Sequence, residues 1–216
     1  MGHNIYANIR ICVLDIRSCV PLDSQDMPLA SPVSFICPPK QAVWLQGLNG
    51  SGKTVMMRSL SGYMAHLGDI RVDGSVVSMY DRSRFICMPD VDWQALRFWW
   101  AMDLIKYMGL PVGQLSAHIE NYVRHKRVGQ LSCGQRQLIR CVMLTSAHHR
   151  VWCLDEIDSH LDSRARALLV DLCHAFMHSG GMIVYASHQG LELDAGSVNV
   201  CDMLSGRNDA VIDKTC

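Results

Sequence analysis

The chain has 216 residues, with 20 acidic and 20 basic side chains and no net formal charge. This length predicts one domain with a sizeable core, and the charge balance excludes a global field that would recruit nucleic acid or an anionic membrane surface. No apolar stretch is long enough to span a membrane, and residues 1–12 lack the features of a signal peptide, so we expect a cytosolic protein without a nucleic-acid partner.

Ten cysteines and ten histidines are scattered along the chain. No C-x-x-C pair occurs, and most cysteines lie inside apolar runs such as Phe85–Met88. This placement is typical of reduced thiols buried in a core, not of a disulfide framework or a zinc site. We therefore assign no metal ligand to any cysteine or histidine.

The N-terminal part predicts short strands. Residues 5–16 alternate imperfectly between apolar and polar side chains, as a strand with one covered face does. Residues 18–32 carry three prolines and are interpreted as a turn-rich connection, and residues 33–37 predict a second strand. The apolar run at 42–45 suits a buried third strand.

A complete phosphate-loop motif follows that third strand. The pattern G-x-x-x-x-G-K-[ST] is filled by Gly47, Leu48, Asn49, Gly50, Ser51, Gly52, Lys53 and Thr54. Its glycines allow successive backbone N–H groups to point at an anion at the start of a helix, which residues 55–60 suit. Lys53 would reach the β- and γ-phosphates and Thr54 would offer its hydroxyl to Mg²⁺. The motif predicts binding of a nucleoside triphosphate.

The middle of the chain changes from strand to helix. Residues 68–76 place an Asp-Gly turn between alternating runs and predict a β-hairpin, and residues 84–88 predict a further strand. Beyond Gln94 the apolar spacing is helical, which predicts a helical subdomain inserted at about 92–147. We interpret the aromatic run at 98–100 as the core of this subdomain, the alternative being a surface that contacts another protein.

The second half alternates helices with buried strands. The segment Leu131–Gln135 opens a helix, and its serine and glutamine have the spacing of a capping box. The apolar run Val151–Leu154 is typical of a parallel strand that helices cover on both faces, and residues 182–186 predict another. The polar residues that end these strands are Asp155, Glu156, Ser187 and His188.

The order and spacing of these motifs resemble the nucleotide-binding domain of an ATP-binding cassette (ABC) ATPase over nearly the whole chain. A phosphate loop alone fits many NTPases, whereas the L-S-x-G-Q element at 131–135, here the signature segment, separates this family from kinases and GTPases. The resemblance implies a single α/β domain at 1–216 with the P-loop NTPase fold of the ABC type. Such a domain has a mostly parallel sheet core, an N-terminal antiparallel β part and an inserted helical subdomain.

The resemblance also implies a role for each polar motif residue. Asp155, with Thr54, would bind Mg²⁺, and Glu156 would polarise the attacking water. His188 would contact the γ-phosphate of ATP and hold that water in place. In a head-to-tail homodimer, the ATP held by one subunit would also meet the signature segment of the other subunit, through residues Ser132, Gly134 and Gln135.

Some positions depart from the family pattern. Cys133 replaces the first glycine of the signature segment. Asp90 stands where the family usually has a glutamine that senses Mg²⁺ and the membrane partner, with Gln94 as an alternative. No aromatic residue lies at the usual adenine-stacking distance upstream of Gly47, which leaves the preference for ATP over GTP open.

Within the family, the short chain, the run at 96–100 and the pair at 188–189 resemble the ATPase subunits of cytochrome c maturation. This implies a translocase-type ATPase at the inner face of the cell membrane, docked on an integral-membrane transporter subunit and acting in haem export or in release of a haem-loaded chaperone. No C-x-x-C-H motif indicates a haem site. The alternatives are a soluble ABC ATPase, such as an iron–sulfur assembly component, and a degenerate nucleotide-responsive binding module.

Overall fold

A computed structural model of the chain describes residues 13–81, 86–88, 91–107, 123–145, 149–193 and 195–199. None of the helices in these ranges is long and apolar enough to cross a membrane. The elements in chain order are β1 (Leu14–Pro21), β2 (Val33–Cys37), β3 (Ala42–Gln46), α1 (Lys53–Leu60), β4 (His66–Val72), β5 (Ser75–Val76), β6 (Ile86–Cys87), α2 (Ala101–Tyr107), a 3₁₀ turn (Val128–Gln130), α3 (Cys133–Thr145), β7 (Val151–Asp155), α4 (Ser163–His178), β8 (Met182–Ala186) and β9 (Ala195–Asn199).

The strands form one antiparallel and one parallel sheet. The antiparallel sheet has the order β2-β1-β4-β5, and the parallel sheet has the order β6-β7-β8-β3-β9. In the parallel sheet β8 lies between β7 and β3. The segments that follow the carboxyl ends of these three strands therefore lie side by side at one edge of the sheet. The predicted α/β architecture with an N-terminal antiparallel part is confirmed.

Two hydrophobic layers lie on opposite faces of the parallel sheet. One layer joins it to α1 and the antiparallel sheet, through buried side chains such as Leu45, Met56 and Ile16. The other joins it to α3 and α4, through residues such as Leu154, Leu144 and Leu169. A sheet covered on both faces needs near-continuous apolar strands, and this is the pattern that β7 and β8 show in the sequence.

Strand β1 extends further than predicted. The sequence assigned 18–32 to a connection, but β1 continues to Pro21 across an irregularity between Ile16 and Cys19. Ser18 has a positive φ of 47°, and its N–H donates to the Ser34 hydroxyl at 2.8 Å instead of to a regular ladder partner. A bulge of this kind interrupts the alternation on which the prediction depended.

One predicted element is present in the structure, and one observed strand was not predicted. The hairpin at 68–76 is confirmed as β4 and β5, with positive φ at both Asp73 and Gly74, the geometry that an Asp-Gly turn favours. Strand β9 was not predicted; it pairs in parallel with β3 at the edge of the sheet. Residues 1–12, 108–122 and 200–216, which include parts of the predicted first strand, second subdomain helix and tail, lie outside the described residues.

The interpretation of the aromatic run 98–100 as a core is wrong. Phe98, Trp99 and Trp100 are 64%, 41% and 46% exposed, and the helix begins only at Ala101. The core here contains Ala101 and Ile105 together with α3 side chains. Helical spacing identifies a helix but does not distinguish the face that packs from the face that meets solvent. The extent of the subdomain, about 92–147, stays a prediction.

Candidate functional site

The phosphate loop connects β3 to α1, as its motif requires. Gly52 precedes the helix with a φ of 100°, and a Cβ at this position would lie 2.7 Å from the Cβ of Ala30. Conformation and space therefore both require glycine here. The ammonium group of Lys53 donates to the carbonyl oxygens of Gly47 and Leu48 at 2.8 and 2.9 Å, so the lysine lies across the loop.

Ser51 is a buried polar residue of this loop whose hydroxyl is open to a ligand. The residue is only 4% exposed, and its hydroxyl oxygen has no hydrogen-bond partner within the described chain. A buried hydroxyl without a partner is costly, and most such groups in proteins are satisfied by a ligand, water or another side chain. The start of α1 lies beside it and offers N–H groups that the helix itself cannot use.

Asp155 and Thr54 form the acidic part of the site. Asp155 ends β7, Thr54 lies in the first turn of α1, and both residues line the same cavity. Burial raises the pKa of Asp155; the Thr54 hydroxyl opposes this shift and the neighbouring charge of Glu156 adds to it. The described residues contain no group of three or more His, Cys, Asp or Glu side chains that could hold a metal ion by itself. One carboxylate and one hydroxyl fit Mg²⁺, which proteins often hold through one or two side chains plus substrate phosphates.

Glu156 and His188 lie opposite each other. Glu156 Oε1 is 3.2 Å from His188 Nε2, and the two side chains are 44% and 58% exposed. Glu156 has a φ of 47°, a strained conformation for a residue with a side chain, and its N–H donates to the carbonyl of Ala186 at 3.0 Å. The bond joins the ends of β7 and β8, which carry the two functional side chains.

Glu156 lines two adjoining cavities. The first, of about 200 Å³, is also lined by Lys53 and His188. The second, of about 290 Å³, is also lined by Thr54 and Asp155. The carboxylate of Glu156 therefore lies between the lysine side and the acidic side of the site, which is where a base that activates water for attack on a phosphate must be.

Gln137 on α3 holds the backbone of this acidic loop. Its amide nitrogen donates to the carbonyl of Glu156 at 3.1 Å and to the hydroxyl of Ser159 at 3.0 Å. The guanidinium of Arg140 in turn donates to the amide oxygen of Gln137 at 2.9 Å. This chain of hydrogen bonds joins α3, the helix that begins within the signature segment, to the loop that carries Glu156.

The capping box predicted in the signature segment is present. The N–H of Gln135 donates to the Ser132 hydroxyl at 3.3 Å, and the N–H of Ser132 donates to Oε1 of Gln135 at 3.1 Å. Reciprocal bonds of this kind fix the first turn of a helix. The first N–H groups of a helix have no partner within it, so those of Cys133 and Gly134 at the start of α3 suit an anion supplied from outside the subunit.

Gly134 is required by a close approach. A Cβ here would lie 2.6 Å from the carbonyl oxygen of His160. An open cavity of about 410 Å³ lies between the signature segment and residues 160–162, and none of its lining residues lines either cavity beside Lys53 or Asp155. Cys133 is exposed at its edge. The signature residues thus do not join the phosphate loop within one subunit.

The remaining candidates lie partly outside the described chain. Asp90 is not described, but Met88, two residues earlier, lines the cavity of Asp155. Gln94 is exposed, with its N–H bonded to Asp92 at 3.0 Å, and it does not line that cavity. Phe35 is 3% exposed in β2, so this aromatic ring is not available to stack on a base.

Sequence reasoning missed the polar residues that support the site. Gln137 and Arg140 lie in a helix whose other residues gave an ordinary amphipathic pattern, and Asp158 was passed over between two motif residues. The signal for Asp158 is that it is a carboxylate only 9% exposed. Burial of this kind cannot be read from one sequence, although its place two residues after Glu156 was visible.

Comparison with known proteins identifies the family. A family model described as ABC transporter matches residues 30–159, more than half of the chain. The match includes the phosphate loop, the signature segment and the Asp155-Glu156 pair. The chain belongs to the ABC transporter family, and it carries the ATPase domain of that family.

Several curated relatives carry the name cytochrome c biogenesis ATP-binding export protein CcmA. The protein from Ruegeria pomeroyi is 29% identical over 81% of this chain and 84% of its own length. The protein from Roseobacter denitrificans is 30% identical over 77% of this chain and 80% of its own. That from Zymomonas mobilis is 26% identical over 87% and 82% respectively.

Solved structures share the fold. An ABC transporter ATP-binding protein from Pyrococcus furiosus superposes with a TM-score of 0.68 at 20% identity, covering 87% of this chain and 97% of that one. A bacterial Atm1-family ABC exporter with ATP bound gives a TM-score of 0.67 at 15% identity, covering 88% of this chain and 37% of the exporter. At these identities the likeness establishes the fold alone.

Proposed function

We propose that this chain hydrolyses Mg-ATP as one half of a head-to-tail homodimer, and that it does so as the ATPase subunit of a membrane complex for cytochrome c maturation. The observation that carries the catalytic part is the Glu156–His188 pair, 3.2 Å apart at the ends of adjacent strands and beside the phosphate loop. A base, a polar group for the γ-phosphate and a phosphate cradle are what in-line attack by water requires.

Each residue has one task in this mechanism. Lys53 and the N–H groups of the phosphate loop hold the β- and γ-phosphates, and Thr54 with Asp155 would hold Mg²⁺, which supplies neutralisation of phosphate charge. Glu156 accepts a proton from the attacking water. His188 contacts the γ-phosphate and keeps Glu156 in place.

The second half of the site comes from another copy of the chain. The signature segment presents the start of α3 at a cavity separate from the phosphate loop, and Ser132 and Cys133 are exposed at that helix start. ATP between two copies would satisfy both halves at once. Because ATP then contributes to the interface, the dimer depends on the γ-phosphate.

The membrane partner and the pathway are supported by two observations. The relatives named CcmA cover most of the chain at 26–30% identity. In addition, Phe98, Trp99 and Trp100 are exposed next to one another in sequence, and the ring of Trp99 lies 5.4 Å from that of exposed Tyr107. An exposed apolar patch of this kind is typical of a protein contact.

Complementation tests the proposal. A bacterium that lacks its own CcmA is given this chain or its Lys53→Ala variant, and covalently bound haem in c-type cytochromes is measured by haem staining. Restored staining with the wild-type chain alone supports the assignment. Phosphate release by the purified chain without any complementation would support the proposed ATPase activity and contradict the proposed role in cytochrome c maturation.

A further inference from the structure

Asp158 is a buried carboxylate that the mechanism above does not use. Its Oδ2 atom accepts hydrogen bonds from the Ser187 hydroxyl at 2.7 Å and from the Arg166 guanidinium at 3.0 Å. Its side chain is 8% exposed and that of Arg166 is 26% exposed. The pair therefore lies in the protein and not on a fully solvated face.

The same network reaches both sides of His188. Ser187 comes directly before the histidine, and Arg166 also donates through Nη2 to the carbonyl of Gly190, two residues after it. The Ser187 carbonyl is held as well, by the Trp44 indole N–H at 3.3 Å. We call Asp158, Arg166, Ser187 and the Gly190 carbonyl the Asp158 network.

The other end of the network is the loop that carries Glu156. Asp158 follows Glu156 by two residues, and between them Ile157 is buried at 1% exposure. The Asp158 network thus joins the segment after β7 to the segment after β8 at a second point, in addition to the Glu156–His188 contact. Neither Asp158 nor Arg166 lines the cavities beside the phosphate loop.

We propose that Asp158 is a positioning residue that sets the distance between Glu156 and His188, a proposal that depends on the ATPase function proposed above. A largely buried ion pair is weak evidence for stability, because desolvation of two charges offsets much of their attraction. What such a pair provides is a defined arrangement: a carboxylate with two donors from two segments fixes both relative to each other. His188 is itself 58% exposed and has little packing to hold it.

The variant Asp158→Asn tests this role. Asparagine keeps the shape and one oxygen that can accept, but it loses the charge that strengthens the bond from Arg166. We expect kcat for ATP hydrolysis to fall by about tenfold, whereas Kd for a fluorescent ATP analogue changes less than about twofold, because only the hydrolytic geometry is lost. Asp171, an exposed carboxylate on α4, the helix that carries Arg166, provides the matched control Asp171→Asn, which retains wild-type values.

A double-mutant cycle separates positioning from general stability. If Asp158 acts through His188, Asp158→Asn lowers kcat by less than about twofold when residue 188 is already alanine, because the effects of coupled residues are non-additive. Equal losses of kcat in both backgrounds would overturn the proposal. So would a loss of nucleotide affinity that parallels the loss of kcat, since that result indicates a damaged fold.

A second measurement does not require activity. Asp158→Asn removes the charge of the Asp158 network and leaves the Ser187 hydroxyl, which accepts the Gln189 N–H at 3.3 Å, in place. Hydrogen exchange is measured for peptides that cover 187–193 in the wild type and this variant. We expect faster exchange in this segment and unchanged exchange in β2. Unchanged exchange at 187–193 would overturn the proposal even in a chain without ATPase activity, and absence of wild-type ATPase activity together with faster exchange would reject only the proposed function.

Discussion

Replacing Glu156 by glutamine changes a side chain whose backbone is held independently of it. The N–H and the carbonyl of residue 156 are bonded to Ala186 and Gln137, and neither bond uses the carboxylate. The contact with His188 is about half exposed at both ends, and exposed polar contacts of this kind contribute less than about 1 kcal/mol to stability. We therefore expect the variant to fold with a Tm close to that of the wild type.

Catalysis should respond very differently from stability. An amide cannot take the proton of the attacking water, and loss of a general base slows hydrolysis by about 10² or more, equivalent to about 2.7 kcal/mol in activation free energy. The groups that would hold ATP, including Lys53, Thr54 and Asp155, are unchanged. The measurement is phosphate release under saturating Mg-ATP, compared with Kd for the nucleotide.

A variant that binds ATP but hydrolyses it slowly should also keep the dimer interface formed. If Ser132 and Gly134 of each copy contact the γ-phosphate bound by the other, Glu156→Gln gives a dimer on size-exclusion chromatography with Mg-ATP and a monomer with ADP. The added change Ser132→Arg places a bulky side chain at that contact and should leave a folded monomer. Wild-type hydrolysis in the single variant would remove Glu156 from catalysis. Slow hydrolysis without an ATP-dependent dimer, with the membrane partner present, would refute the shared site.

The remaining predictions concern the phosphate loop, a helix cap and one thiol. Lys53→Ala should abolish phosphate release with little change in Tm, and wild-type turnover would contradict the site. Asp162 caps α4 through the N–H of Ala165 at 2.8 Å, so Asp162→Ala should cost about 1 kcal/mol, or about 2–4 °C in Tm, whereas Asp171→Ala should not lower Tm. Among described cysteines, exposed Cys133 should react fastest with a maleimide, as mapped by mass spectrometry, whereas Cys141 should stay unmodified at pH 7.5 because burial raises its pKa to about 12. Mg-ATP should slow labelling of Cys133 in the Glu156→Gln dimer.

The parts of the site that the sequence predicted depend on neighbours in the chain. The phosphate loop needs glycines between a strand and a helix, and the capping box needs Ser132 and Gln135 three residues apart. Both are local, so the spacing of residue types is enough to predict them. The buried apolar runs of β7 and β8 are similarly local, because a strand covered on both faces has no alternation.

What was missed depends on segments far apart in sequence. Asp158 meets Ser187 29 positions along the chain, and β9 becomes a strand only because the edge of β3 is available to pair with it. The exposure of Trp99 and Trp100 depends on how α2 packs against α3. None of these contacts leaves a period or a spacing in the sequence.

The buried cysteines affect whether thermal unfolding of the protein is reversible. Cys19, Cys37, Cys141, Cys153 and Cys173 are all buried and form no disulfide in the folded structure, and all become accessible together when the core opens. Thiolates exposed in this way form disulfides that these five residues do not make in the native state, between chains and within them. In air, unfolding is therefore followed by a covalent step that prevents refolding, and the apparent Tm depends on scan rate. Reductant should restore reversibility.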